Sequence, residues 1–229
     1  MILSKSQRQR IASIAKGRSD EALHLLEGRK AIADALEAGH VAELWVASDD
    51  DATRPLRDAA RRLGVPVGEG ARRDFERMAG TVTPQPAIAL VRDTARPLTG
   101  VASRSGLLLW LDGLQDPGNV GAVFRIAAAF GAAGVLSARG GADPLGLKAL
   151  RASAGLALSV PFSRATEDEI AASIVGRPVF ALDMGGEDVR SVAPVPADLV
   201  LVLGAEGRGI GAAAASASTR TVGIPLAPG

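Results

Sequence analysis

Four short apolar runs in the second half of the chain, residues 107–111, 179–182, 199–203 and 222–226, are bounded by turn-forming residues and separated by helical stretches. Runs this uniformly apolar do not alternate between core and water. They read as strands covered on both faces. Helical segments are expected to begin near Asn119, Leu145, Glu167 and Ile210. Buried strands alternating with helices define an α/β fold: a mostly parallel sheet with helices on both faces. Ligands of such sheets collect outside the C-terminal ends of strands, which directs attention to the residues after 111 and 203.

The first half has shorter patterns. Leu23, Leu26, Ile32, Ala33 and Leu36 recur at roughly helical spacing, and Gly39 is a plausible stop,. Glu43-Leu44-Trp45-Val46-Ala47 reads as a strand, Leu56, Ala59, Ala60 and Leu63 as a helix, and residues 65–67 and 87–91 as further strands. These make a small α/β domain over residues 1–92. Residues 93–106 hold Pro, Gly and Ser without a clear period and read as a linker, leaving residues 107–229 as the second domain,.

Charge separates the halves. Over the whole chain 26 basic groups face 25 acidic ones, but residues 1–104 carry 17 basic against 14 acidic groups. The first 19 residues contain Lys5, Arg8, Arg10, Lys16 and Arg18 and no acid. Such an arm can seek phosphate, or it can be the solvated face of a helix. The absence of cysteine excludes disulfides, thiolate zinc sites and cysteine nucleophiles, and fits a cytoplasmic location,. With only His24 and His40, a serine triad or histidine metal site is not expected, and no metal is assigned,. No apolar run approaches membrane-spanning length, and the polar N-terminus does not resemble a signal peptide,.

Two segments carry chemistry. The first is Leu111-Asp112-Gly113-Leu114-Gln115-Asp116-Pro117-Gly118-Asn119-Val120-Gly121, running from a strand end through a loop into a helix, where Asn119 is expected to be the cap,. Arg125 is the only charge between Asp116 and Arg139. On physical grounds alone it could be an ordinary solvent-facing arginine. The second is Leu203-Gly204-Ala205-Glu206-Gly207-Arg208-Gly209-Ile210-Gly211. It lacks the Gly-Lys-Ser/Thr of a P-loop, and no acid follows Ala212 to bind a dinucleotide ribose,. A glycine turn with an exposed glutamate, or a ligand site using Glu206 and nearby amides, both remain open.

Together the two segments resemble the first and second signature motifs of the SpoU (TrmH-like) RNA 2′-O-ribose methyltransferases. Lys148-Ala149-Leu150-Arg151-Ala152-Ser153-Ala154-Gly155 is similar to a stretch typical of that family, and Ile224-Pro225-Leu226 to the start of its third motif. Leu26-Glu27-Gly28-Arg29 and Thr83-Pro84-Gln85 resemble parts of the ribosomal-protein-like RNA-binding domain that many members carry in front. The resemblance implies S-adenosylmethionine (AdoMet) as cofactor, a deep trefoil knot, a homodimer and a structured RNA substrate, ribosomal in preference to transfer RNA. By motif position, Arg125 is the catalytic arginine, Asn119 its support and Glu206 the acidic residue. Gly204, Gly207, Ile224 and Leu226 would hold the cofactor, and Arg8, Arg10, Lys16, Arg18 and Arg29 would meet RNA. A guanidinium with a pKa above about 12 does not readily lose its proton, so Arg125 is expected to orient the reactants and stabilise charge, an RNA phosphate taking the proton. The third motif is incomplete at Gly229, and the chain is read as cut short there. The alternative is a non-catalytic RNA-binding protein that keeps the methyltransferase scaffold.

Overall fold

Ser4 opens helix α1 (Lys5–Ala15) through a capping box: its hydroxyl accepts the Gln7 N–H while the Gln7 side chain accepts the Ser4 N–H,. The computed structural model describes residues 2–78 and 85–225. The chain divides into one unit of Met1–Thr94 with Leu145–Leu158 and another of Ala95–Pro144 with Ser159–Gly229.

In the first unit, α1 buries Ile11 and Ile14 in a core with Leu25, Trp45, Phe75, Ile88 and Leu90. Burial of each isoleucine is worth about 1.5–3 kcal/mol, so the basic N-terminus is a docked helix and not a loose arm. Strand β1 (Leu23–Glu27) is followed by α2 (Arg29–Glu37), β2 (Val41–Ala47), α3 (Arg54–Arg62), β3 (Val67–Gly70), α4 (Arg72–Met78) and β4 (Ala87–Arg92). The sheet order is β1-β4-β2-β3, with β4 antiparallel to both β1 and β2. The helical spacing read from Leu23 to Leu36 is therefore divided. Leu25 and Leu26 lie in β1, opposite Leu90 and Ala89 of β4. Gly28, at φ +96°, turns the chain into α2, whose Ile32 and Leu36 are buried. Thr83 and Pro84 lie outside the described residues.

The second unit begins inside the stretch that reads as a linker. Helix α5 (Leu98–Ala102) buries Val101 and Ala102 in a core with Leu108, Trp110, Leu136, Val200 and Val202. Arg177 fixes the turn into the next strand, donating to the carbonyls of Ala102, Arg104 and Gly106. A five-residue helix is too short to show a period,. Next come β5 (Leu107–Asp112), α6 (Pro117–Phe130) and β6 (Gly134–Ala138), then α7 (Leu147–Ala152), which packs in the first unit. The second unit continues with β7 (Phe162–Ala165), α8 (Glu167–Ser173), β8 (Val179–Asp188), β9 (Leu199–Gly204), α9 (Ala212–Ala217) and β10 (Arg220–Gly223).

Its six strands are all parallel, in the order β10-β8-β9-β5-β6-β7. The four apolar runs of the sequence correspond to β5, β8, β9 and β10, the last beginning at Arg220. The chain runs outward from β5 to β7, then returns to place β9 on the other side of β5. The strand order reverses there, and loops leaving two adjacent strands diverge to open a crevice. The register brings Leu111 beside Leu203 and Asp112 beside Gly204, so the two motif segments leave the sheet side by side.

Candidate active site

Helix α6 does not start on Asn119. Asp116 is its cap, accepting the Gly118 N–H, with Pro117 in the first turn,. This frees the Asn119 side chain, and its Nδ2 donates to Glu206 Oε1 at 2.8 Å. The other oxygen of Glu206 accepts the Gln115 N–H at 3.3 Å. The Asn119 hydrogen bond, followed by backbone N–H donors that include Gln115, holds the Glu206 carboxyl below its ordinary range,. Two residues 87 positions apart thus close one site.

The loop bearing Glu206 is shaped by its own backbone. Ala205 and Gly209 exchange N–H···O bonds of 3.0 and 2.8 Å. A side chain at Gly204 would place its Cβ 2.5 Å from the Gly209 carbonyl, so close backbone approach requires glycine there. Gly204 and Gly207 share this loop.

Below the loop, Asp112 is fully buried at the end of β5. Its Oδ2 accepts the Gly211 N–H at 2.6 Å, while Oδ1 has no hydrogen-bond partner among the described residues. Burial pushes its carboxyl up from the ordinary range. Arg208 lies 3.9 Å from Asp112 Oδ1 and donates to Glu167 at 3.1 Å. A cavity of about 490 Å³ opens over these strand ends, with Gln115, Arg139, Glu167, Glu206 and Arg208 in its lining. Asp112 and Arg208 stand inside the sequence motifs without a role assigned, and Arg139 directly follows β6. Their place at strand ends is the signal that points to them.

Arg125 lies six residues beyond Asn119 on α6, about 9 Å along the axis and turned away from it. It is exposed, with no hydrogen bond or ion pair among the described residues. Asn119 therefore engages Glu206 and not Arg125. Ile224 follows β10 and is exposed, whereas Leu226 lies outside the described residues.

The cations read as RNA-binding fall into two groups, all within the first unit. Arg8 pairs with Asp74, and Arg10 bridges Glu21 and Glu43, which raise its pKa further. Both are occupied inside the fold. Lys16, Arg18 and Arg29 are exposed and unpaired among the described residues. No group of His, Cys, Asp and Glu suited to hold a metal occurs among those residues, nor a helix long and apolar enough to cross a membrane.

Residues 106–229, covering both motifs, match the family model described as the SpoU rRNA Methylase family. The chain belongs to this SpoU family. Residues 25–96 match a model described as RNA 2′-O ribose methyltransferase substrate binding. A Mycobacterium ulcerans protein described as an uncharacterized tRNA/rRNA methyltransferase is 32% identical over 98% of this SpoU chain and 75% of its own length. A solved RNA 2′-O ribose methyltransferase aligns at TM-score 0.79 and 26% identity, over 100% of this chain and 91% of that one. The AdoMet-bound rRNA methyltransferase of Sinorhizobium meliloti shares the fold at TM-score 0.86 and 24% identity, over 99% and 88% of the two chains.

Proposed function

We propose that this SpoU-family protein methylates a ribose 2′-hydroxyl in structured RNA with AdoMet as donor, acting in the cytoplasm on ribosomal in preference to transfer RNA. The observation that carries this reading is the Asn119–Glu206 hydrogen bond joining the start of α6 to the loop after β9, with an arginine farther along the same helix that has no partner among the described residues. The similarity of residues 25–96 to a 2′-O ribose methyltransferase substrate-binding model supports the ribose as acceptor.

The strand ends fit AdoMet. Between Thr221 and Val222 the β8–β10 register jumps, setting residues 182–186 out of the ladder. Gly223 allows close approach there, since a Cβ on it would lie 2.7 Å from the Asp183 carbonyl. Met184 and Ile224 are exposed apolar residues and Asp183 an exposed carboxylate on these same segments, residue types suited to an adenine ring and ribose hydroxyls. Backbone at Gly204, Gly207 and Ile224 would hold the cofactor, whose sulfonium supplies an already activated methyl group.

The protein's own task is then alignment and charge. In the transfer, the ribose oxygen gains a bond to carbon, the carbon–sulfur bond breaks, and the hydroxyl proton leaves. Arg125 stays protonated and donates to the oxygen as it becomes negative, the proton passing to an RNA phosphate. Glu206 and Asn119 hold the loop and the helix start in one arrangement. By the same family reading, the chain is knotted as a trefoil and works as a homodimer.

The test uses the full chain, methyl-labelled AdoMet, and ribosomal and transfer RNA transcripts. Label recovered in alkali-resistant dinucleotides supports 2′-O transfer, because a methylated 2′-oxygen cannot attack its own phosphate. Label in alkali-labile mononucleotides places the methyl on a base and overturns it. RNA binding without label makes the chain a binding protein.

A further inference from the structure

The loop over residues 204–211 carries Glu206 and the backbone that would hold AdoMet. Four of its eight residues are glycine, the residue that loses most conformational freedom when it is ordered. Such a loop must be held from outside if it is to meet a cofactor in one shape. The mutual bonds of Ala205 and Gly209 close it on itself, and the Gly211 N–H anchors its end to Asp112. Only Glu206 and Arg208 carry polar side chains. Glu206 ties the loop to α6 through Asn119. Arg208 ties it to α8: its Nη2 donates at 3.1 Å to Oε1 of Glu167, in the first turn of that helix. The same nitrogen lies 3.9 Å from Oδ1 of the buried Asp112, at the end of β5. Glycine at position 113 leaves room for this guanidinium, since an added Cβ would come within 2.8 Å of Nη2.

We propose that Arg208 is a positioning residue for the cofactor: by spanning Glu167 and Asp112 it sets the loop in its AdoMet-binding shape before AdoMet arrives. The inference rests on the reading of this protein as an AdoMet-dependent methyltransferase and adds a residue to that site. The Arg208 side chain is 57% exposed and that of Glu167 31%. An ion pair so open to water adds little to the stability of a whole fold. Its effect is local, on a segment whose own opening is far easier than global unfolding. A planar guanidinium suits the task, because one rigid group addresses two carboxylates, which a lysine ammonium on its flexible stem does less well. The same two carboxylates set Arg208 apart from an RNA contact. Its charge is already answered within the fold, unlike that of Lys16 or Arg18.

The experiment compares the full chain with Arg208→Ala, Arg208→Lys, Glu167→Gln and the Arg208→Ala/Glu167→Gln pair. It reads AdoMet affinity by calorimetry, hydrogen exchange of the unliganded loop by mass spectrometry, and RNA affinity by fluorescence anisotropy. Arg208→Ala should weaken AdoMet binding about fivefold, hasten exchange across residues 205–209, and leave RNA affinity in place. Arg208→Lys should recover part of both losses. Glu167→Gln should weaken AdoMet binding in the same direction, and the pair should bind no worse than Arg208→Ala alone. If Arg208→Ala fails to fold, the Arg208→Lys and Glu167→Gln variants decide by the same readouts. Unchanged AdoMet affinity and exchange in the folded variants overturn the proposal and leave the methyltransferase reading standing. A fall in RNA affinity with AdoMet binding intact overturns it too, and makes Arg208 a phosphate contact. Losses that add in the double variant overturn the role given to Glu167. If the unaltered chain binds no AdoMet, the methyltransferase reading itself fails and takes the cofactor role of Arg208 with it.

Discussion

Arg125 stands in water without a partner among the described residues, while Asp112 is buried at a strand end with one carboxylate oxygen that accepts no hydrogen bond among them and faces Arg208 at 3.9 Å. If Arg125 acts through its charge, Arg125→Lys should keep a measurable fraction of methyl transfer. Arg125→Ala should lose about a hundredfold or more in kcat, with RNA affinity changed far less. Equal loss in both variants, measured at saturating RNA, would count against charge stabilisation. Asp112 makes a different prediction. Burial raises its carboxyl above the unfolded value, so the folded state holds its proton over a wider pH range. Its contribution to stability is therefore best below the unfolded pKa and declines as pH rises through the window up to the folded one. Asp112→Asn removes that charge while keeping an oxygen for the Gly211 N–H, and should leave neutral-pH melting unchanged or raised. Asp112→Ala orphans that N–H and should lose about 1–3 kcal/mol, which denaturant titration would show. Sequence displayed Asn119, Arg125 and Glu206 as motif members. It did not display that Asp116 takes the helix cap and frees Asn119 for Glu206, because that choice depends on a loop 87 residues away.

At the scale of elements, the buried strands of the second unit were legible because each is a short apolar run. Strands β6 and β7 were less so: Gly134–Ala138 and Phe162–Ala165 include Ser137, Ser163 and Arg164, which blur the pattern. In the first unit β1 shares its leucine spacing with a helix turn, and only its pairing with β4 decides between them. Helix α6 carries a further consequence. Its inner face buries Val120, Phe124 and Ala127, yet Ile126 and Phe130, one turn apart, are 55% and 83% exposed. Exposed apolar neighbours of this kind favour a protein contact, and the homodimer proposed above would use them. Phe130→Asp should therefore shift the protein toward monomer in light scattering while its melting temperature stays within a few degrees. A dimer that survives both Phe130→Asp and Ile126→Asp would place the contact elsewhere.

Across the whole molecule, the excess of positive charge over residues 1–104 suggests capture of RNA through phosphates,. Folding sharpens that estimate, because charge counted along a sequence is not charge free to bind. Arg8 and Arg10 are consumed by Asp74, Glu21 and Glu43, whereas Lys16, Arg18 and Arg29 remain exposed and unpaired among the described residues. Three cations neutralising three phosphates give a slope of log affinity against log salt of about −2.1 to −2.7, hence about a 20- to 40-fold loss between 50 and 200 mM salt. Removing Lys16 or Arg18 should each lessen the slope by about one and barely alter folding. Removing Arg10 should do the reverse, since it leaves Glu21 and Glu43 without their partner: melting should drop while the salt slope holds. If Arg10→Ala flattens the salt response as much as Lys16→Ala does, its ion pairs open on binding and the whole basic helix joins the RNA contact.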